Sequence, residues 1–192
     1  MCQQKKAIYL ALSTNVGTTS ISRNDTLRIR VRLLNTGHDS VVVYGFDPSW
    51  LEHWVDPNGP PGSLFRTGLS LILKNSAGRV YSRQLIRADA SASFENLDST
   101  YKALMDEYSK QTTEFRERLF SSRKIVKPGG VLETSLMILL DEFDLSIGTY
   151  EVTVFFHCDE ALVRTIGWSD LSFIGTLKSN TTRFRVTANE WK

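Results

Sequence analysis

The stretch that decides the fold is DTLRIRVRLLNTG, residues 25–37. Aliphatic residues alternate along it with arginines: Leu27, Ile29, Val31 and Leu33 against Arg28, Arg30 and Arg32. Successive side chains of a strand point to opposite faces, so this pattern predicts a half-buried strand with three arginines on its outer face. Residues 35–37 are typical of a turn, and the β-branched segment 40–46 is predicted to be the partner strand.

The same period of two recurs along the chain. Alternating segments occupy residues 8–12, 69–75, 79–85, 131–140, 148–156 and 181–188, and residues 76–78 are typical of a hairpin turn. Eight or nine short strands separated by turns favour two packed antiparallel sheets. We therefore predict an all-β sandwich.

Two segments depart from this pattern. Residues 47–63 contain four of the five prolines and are predicted to form a loop. Residues 96–120 carry apolar side chains at steps of three, four and seven, which predicts one inserted α-helix. We predict a single domain over residues 7–192, preceded by a polar tether at residues 1–6.

Composition excludes several classes of function. Hydrophobic residues make up 41% of the chain and the net charge is +2, so a broad electrostatic attraction to nucleic acid is not expected. No apolar run approaches the roughly 20 residues that span a bilayer. No apolar leader follows Met1, which leaves either a cytosolic protein or a mature chain whose signal was removed.

The segment DEFDLSIGTYEVTVFF, residues 141–156, resembles the turn before the sixth strand of immunoglobulin-like and fibronectin-type sandwiches. A leucine, a glycine, a tyrosine and alternating valines carry the resemblance: Leu145, Gly148, Tyr150, Val152 and Val154. The resemblance implies an immunoglobulin-like antiparallel sandwich. It also implies that the ring of Tyr150 fills the core while its hydroxyl bonds to nearby backbone.

The N-terminus, CQQKK after Met1, is similar to the start of mature bacterial lipoproteins. That resemblance implies a lipid on Cys2, and Gln3 implies sorting to the periplasmic side of the outer membrane. Stable attachment needs two or more acyl chains. The alternative for Cys2 is an exposed thiol of a cytosolic protein.

Aromatic side chains supply the binding candidates. Trp50, His53 and Trp54 lie in the proline-rich loop, where they either form a binding platform or close the end of the sandwich. The predicted helix presents three more candidates: Tyr101, Tyr108 and Phe115.

Residues that carry chemistry are sparse. In FFHCDE, His157 and Asp159 alternate with Cys158 and Glu160, so neighbours would point to opposite faces and a shared metal ion is not expected. Cys158 is expected to be a small buried residue. We find none of the common nucleophile, zinc-protease or phosphate-binding motifs, and we expect no enzymatic activity, no cofactor and no metal.

Two functions remain open. The first is a non-enzymatic envelope lipoprotein that binds a protein partner, as an assembly factor or as an inhibitor or immunity protein acting by occlusion. The second is a carbohydrate- or ligand-binding module in which Trp50, Trp54 and Trp168 stack on the ligand. The arginines of residues 28–32, with Arg183 and Arg185, form either one patch for an acidic partner or two solvated strand faces.

Overall fold

Eleven strands make up most of the regular structure in this computed structural model. It describes residues 9–48, 68–81, 113–114, 117–143, 145–158, 160, 163 and 171–188. The strands are β1 Leu10–Val16, β2 Ser20–Ser22, β3 Thr26–Asn35, β4 Val41–Val43, β5 Gly68–Asn75, β6 Val80–Tyr81, β7 Lys124–Val126, β8 Val131–Leu139, β9 Gly148–Cys158, β10 Gly175–Lys178 and β11 Thr182–Thr187.

The first sheet has three strands in the order β1-β3-β8, all antiparallel. Its central strand is the segment predicted from the alternation of aliphatic and arginine side chains. Leu27, Ile29, Val31 and Leu33 are fully buried, and the three arginines between them are exposed. The prediction of a half-buried strand is therefore confirmed.

The second sheet is built around β9, the longest strand. It has the order β2-β11-β9-β5-β6, and β10 pairs with the far half of β9 on the same edge as β11. The inward side chains of β9 are buried at every second position from Tyr150 to Cys158. The β5–β6 hairpin turns at Gly78, whose φ of 80° is in the left-handed region, as the turn predicted there requires.

Both sheets contribute to one hydrophobic core. Aromatic rings pack along the inner face of the second sheet: Tyr150 stacks on Phe184 with ring centroids 5.8 Å apart, and Phe156 stacks on Phe173 at 5.7 Å. The prediction of an all-β protein with packed antiparallel sheets is confirmed. The β2–β11 pairing is parallel, which the alternation pattern did not indicate.

Asn180, between β10 and β11 of the second sheet, hydrogen-bonds to the first sheet. The Asn180 side chain accepts a hydrogen bond from the backbone N–H of Thr14 at 2.7 Å and donates one to the Thr14 carbonyl at 3.0 Å. These are the two bonds that a neighbouring strand would make to Thr14. The amide therefore ties edge strand β1 of the first sheet to the second sheet.

The predicted partnership between β3 and residues 40–46 is wrong. Only residues 41–43 form a strand, β4, which pairs antiparallel with β7 and bridges to Ser172 on its other side. The backbone of Asn35 instead bonds to Gly129 and Gly130. Residues 41–46 are buried at every position rather than at alternate ones. They therefore lie within the core and not beside β3 in the first sheet.

The role that the resemblance implied for Tyr150 is confirmed. Its ring is 1% exposed, and its hydroxyl donates a hydrogen bond to the backbone carbonyl of Ser146 at 2.8 Å. The bond spans the turn that precedes β9 and satisfies the one polar atom that the ring carries into the core.

Helical structure is short in the described residues. Within the predicted helix 96–120, residues 113–114 and 117–120 are helical and the helix continues to residue 121, whereas 96–112, 115 and 116 lie outside the described residues. Of the predicted loop 47–63, residues 49–63 also lie outside them, as does the tether 1–6. None of the helices described has the length and apolar character needed to cross a membrane.

Candidate interaction surface

The binding residues predicted from the sequence lie outside the described part of the chain. This applies to Cys2, Trp50, His53, Trp54, Tyr101, Tyr108, Phe115 and Trp168. Their roles stay predictions. The described residues offer a different surface, the outer face of the first sheet.

The strand register brings three rows of side chains together on that face. Arg28, Arg30 and Arg32 form the central row on β3, and β8 supplies the residues directly opposite them, Met137, Ser135 and Glu133. On the other side, β1 contributes only short side chains: Ala11, Ser13 and Asn15. The arginine side chains of β3 are therefore longer than the neighbouring side chains of β1 on this face. We call this surface, with Leu34 and the outward residues of β8, the arginine face.

Charge on the arginine face is only partly compensated. The Nε of Arg32 lies 2.7 Å from a carboxylate oxygen of Glu133, and both side chains are about half exposed. Arg28 and Arg30 form no ion pair with any residue that the structure describes. Their guanidinium groups present planar sets of donors that match a carboxylate in geometry.

Apolar side chains border the arginines at both ends of the face. Met137 is 61% exposed and Leu139 is 47% exposed, at the end where β8 terminates. Leu34 and Val131 are opposite each other at the other end and are also exposed. An exposed apolar residue alone is ordinary, but four on one sheet face that also carries unpaired arginines make this face a candidate for contact with a partner.

The two arginine rows of the sequence do not form one patch. Arg183 and Arg185 lie on β11 in the second sheet, whereas the central row of the arginine face lies in the first. Arg183 is also paired, with its Nε 2.8 Å from a carboxylate oxygen of Glu151. Of the two alternatives, a single five-arginine patch is therefore wrong, and only the first-sheet row stands beside exposed apolar side chains.

The part of the FFHCDE segment that lies in β9, residues 155–158, alternates as the strand period predicts. Cys158 is buried with its thiol reduced, and His157 points outward, where Nδ1 hydrogen-bonds the hydroxyl of Thr176. The expectation that Cys158 is a small buried residue is confirmed. No group of three or more histidine, cysteine, aspartate or glutamate side chains in the described ranges is placed to hold a metal ion.

Sequence reasoning missed Met137 and Leu139 as surface residues. The signal was present in the run LMILL, residues 136–140, because a strand cannot bury five consecutive side chains on one face. Leu136 and Ile138 are buried, so the two residues that alternate with them point outward.

No known protein-family model matches the chain, and no curated protein sequence is significantly similar to it.

Proposed function

We propose that the chain is a non-enzymatic module that binds an acidic protein partner through the arginine face. The observation that carries the proposal is the juxtaposition of the unpaired Arg28 and Arg30 with the exposed Met137 and Leu139. Arginine and methionine are enriched at protein–protein interfaces, where a buried apolar contact supplies affinity and charge supplies orientation.

The dimensions of the arginine face favour a protein partner over a small ligand. The face is the outer side of a three-stranded sheet, and eight residue steps along β8 at about 3.4 Å give a length of roughly 27 Å, with about 10 Å between the outer strands. Small-molecule sites are concave, whereas the open outer face of a sheet suits another protein. Its area of roughly 270 Å² is about a third of what one partner contributes to a standard interface, so adjoining elements take part as well.

The finer assignment of an immunoglobulin-like sandwich is part of this proposal. The order β11-β9-β5-β6 follows the arrangement of strands G, F, C and C′ in variable-type domains, and β1-β3-β8 follows A, B and E. The hydrogen bond between Tyr150 and Ser146 also supports it. Such domains host many functions, so this resemblance supports the scaffold and not the activity.

We also propose that the module is held in the bacterial envelope by a lipid on Cys2, on the periplasmic side of the outer membrane. Seven residue-to-residue steps lead from Cys2 to Tyr9, so the attachment point lies within about 25 Å of the first described residue. A tethered module that covers a partner's surface suits an assembly factor or an inhibitor or immunity protein. The carbohydrate-binding alternative stays a prediction, because no described residue favours it.

Site-specific photo-crosslinking in the native host tests the binding proposal. A photoreactive amino acid replaces Met137 in the full chain, and the same residue replaces Lys178 on the second sheet as the control position. We expect a discrete crosslinked species from position 137 that the double substitution Arg28→Glu, Arg30→Glu abolishes. The matched double substitution Lys74→Glu, Arg185→Glu leaves it intact. Identical products from positions 137 and 178 would refute the proposal.

A further inference from the structure

A second surface combines exposed apolar and basic side chains, at the end of the helical segment and the start of β7. Phe120 and Ile125 are 55% and 56% exposed. Three exposed cations lie between or beside them: Arg123, Lys124 and Lys127. None of these three forms an ion pair within the described ranges. We call residues 120–127 the basic segment.

The fold holds the basic segment rigidly with its apolar side chains outward. Leu119 directly precedes the segment and Val126 lies within it, and both side chains are buried in the core. The Ser122 hydroxyl donates to the Leu119 carbonyl at 2.6 Å and accepts from the backbone N–H of Gly45 at 2.8 Å. β7 is paired with β4. Phe120 and Ile125 therefore cannot turn into the core without breaking these contacts.

Successive hydrogen bonds connect the basic segment to the neighbourhood of Tyr9. The Asn35 side chain donates to the Val126 carbonyl at 2.9 Å. The next residue, Thr36, donates its backbone N–H to the Tyr9 carbonyl at 3.0 Å. Tyr9 is the first described residue, so the basic segment lies at the same end of the sandwich as Tyr9, which we call the entry end. Thr187, the last residue of β11, lies at the opposite end, because β11 runs from the middle of β9 toward its start at Gly148.

We infer that the basic segment docks on the surface of an anionic phospholipid bilayer. Phe120 and Ile125 enter the boundary between headgroups and acyl chains, while Arg123, Lys124 and Lys127 contact lipid phosphates. On the adjacent turn, the formal charges of Glu117 and Arg118 cancel, so the three cations decide the local charge. The inference rests on the proposed Cys2 anchor for the direction of approach, and on the segment's own chemistry for affinity.

Docking in this way orients the domain. An anchor alone keeps the chain near the bilayer at a high effective concentration but leaves it free to tumble on its tether. Contact through the basic segment holds the entry end against the membrane. The arginine face lies along the side of the sandwich, between the two ends, and stays accessible to a partner.

The expected preference for anionic over neutral vesicles follows from the number of cations in the basic segment. Each lysine or arginine near an anionic surface strengthens binding by about fivefold, so three give about a hundredfold. The chain as a whole has a net charge of only +2, so a general attraction of the whole protein is weak. A preference of this size for anionic vesicles therefore requires a local cluster.

Vesicle co-sedimentation of the full chain carrying Cys2→Ser tests the inference without an anchor. We expect binding to vesicles of phosphatidylcholine with 30% phosphatidylglycerol to exceed binding to pure phosphatidylcholine by roughly a hundredfold at low salt. Arg123→Gln, Lys124→Gln, Lys127→Gln removes that preference. Phe120→Ser, Ile125→Ser weakens binding to the anionic vesicles by about tenfold.

A matched variant separates local chemistry from net charge. Lys74→Gln, Lys178→Gln, Arg185→Gln removes three exposed cations from the second sheet and, like the basic-segment variant, lowers the net charge from +2 to −1. We expect it to bind anionic vesicles nearly as well as the parent. Equal losses in the two triple variants, or equal binding to both kinds of vesicle, would overturn the inference. So would a basic-segment variant that keeps vesicle binding but loses the crosslinked species from position 137. Mass spectrometry of Cys2 and the crosslinking experiment separately test the proposed function.

Discussion

The substitution Asn35→Ala tests how much stability one buried side-chain amide supplies. The Asn35 side chain is fully buried and makes three hydrogen bonds. It donates to the carbonyls of Asp39 at 2.8 Å and Val126 at 2.9 Å, and it accepts from the backbone N–H of Gly37 at 2.9 Å. It thereby connects the end of β3 to the segment before β4 and to the last residue of β7.

The expected loss follows from these contacts. Three neutral hydrogen bonds contribute about 1 kcal/mol each, and the Val126 carbonyl, whose bond is buried, costs about 1–2 kcal/mol more when it is left without a partner. We therefore expect Asn35→Ala to lower the free energy of unfolding by about 4 kcal/mol. That is a large share of the 5–15 kcal/mol typical of a folded domain.

Asn75→Ala is the matched control, because Asn75 also makes three hydrogen bonds through its amide. It accepts from the backbone N–H groups of Ala77 and Arg79 and donates to the hydroxyl of Tyr81, but the first two bonds are exposed and the third is only partly buried. Water replaces the lost partners there, so we expect a loss of about 1 kcal/mol.

Urea denaturation followed by circular dichroism measures both losses. With a slope of about 2 kcal/mol per molar urea, Asn35→Ala moves the midpoint down by about 2 M and Asn75→Ala by about 0.5 M. Asn35→Asp keeps the acceptor but places a carboxylate against two carbonyls, so we expect it to cost at least as much as alanine. Equal losses at positions 35 and 75, or a neutral Asn35→Asp, would refute the reasoning that burial sets the magnitude.

Three further changes test the fold and the arginine face. Tyr150→Phe keeps the ring and removes one hydrogen bond to a backbone carbonyl, so thermal denaturation is expected to show a melting temperature lower by about 2–4 °C. Gly129→Ala places an alanine at a φ of 68°, and a urea titration is expected to show a free energy of unfolding lower by about 1 kcal/mol. Gly17→Ala has open space around it and no positive φ, so it is expected to change that free energy by no more than a few tenths of a kcal/mol. Equal effects would contradict the assignment of strain. Arg32→Gln breaks a half-exposed ion pair with Glu133, and we expect the free energy of unfolding to change by less than about 1 kcal/mol. A larger loss would show that the pair contributes substantially to the stability of the fold.

Much of the fold could be predicted because its signals are local. The alternation around Val31 identified both a half-buried strand and the direction of each of its side chains, since strand geometry depends on adjacent residues alone. The hairpin at Gly78 was predicted on the same basis, from turn chemistry within a few residues. The role of Tyr150 was implied by the resemblance of residues 141–156 to the corresponding turn of immunoglobulin-like sandwiches.

The composition of the arginine face was less predictable. Arg28 and Arg30 were identified as outward-facing, but whether an acidic side chain would neutralise them depended on which strand lay alongside. The register of β8 places Met137 opposite Arg28 and Ser135 opposite Arg30. The carboxylate of Glu133 is opposite Arg32 instead. A shift of one residue in that pairing would have turned Met137 into the core.

The sequence by itself determined which side chains face inward, because the period of two is a property of each strand. Only the tertiary structure decided which strands are neighbours. β4 pairs with β7 across 80 residues or more, and Asn180 bonds to Thr14 across 166 positions. Such contacts depend on the closure of long loops and on competition among many similar β-branched segments. No short stretch of sequence contains that information.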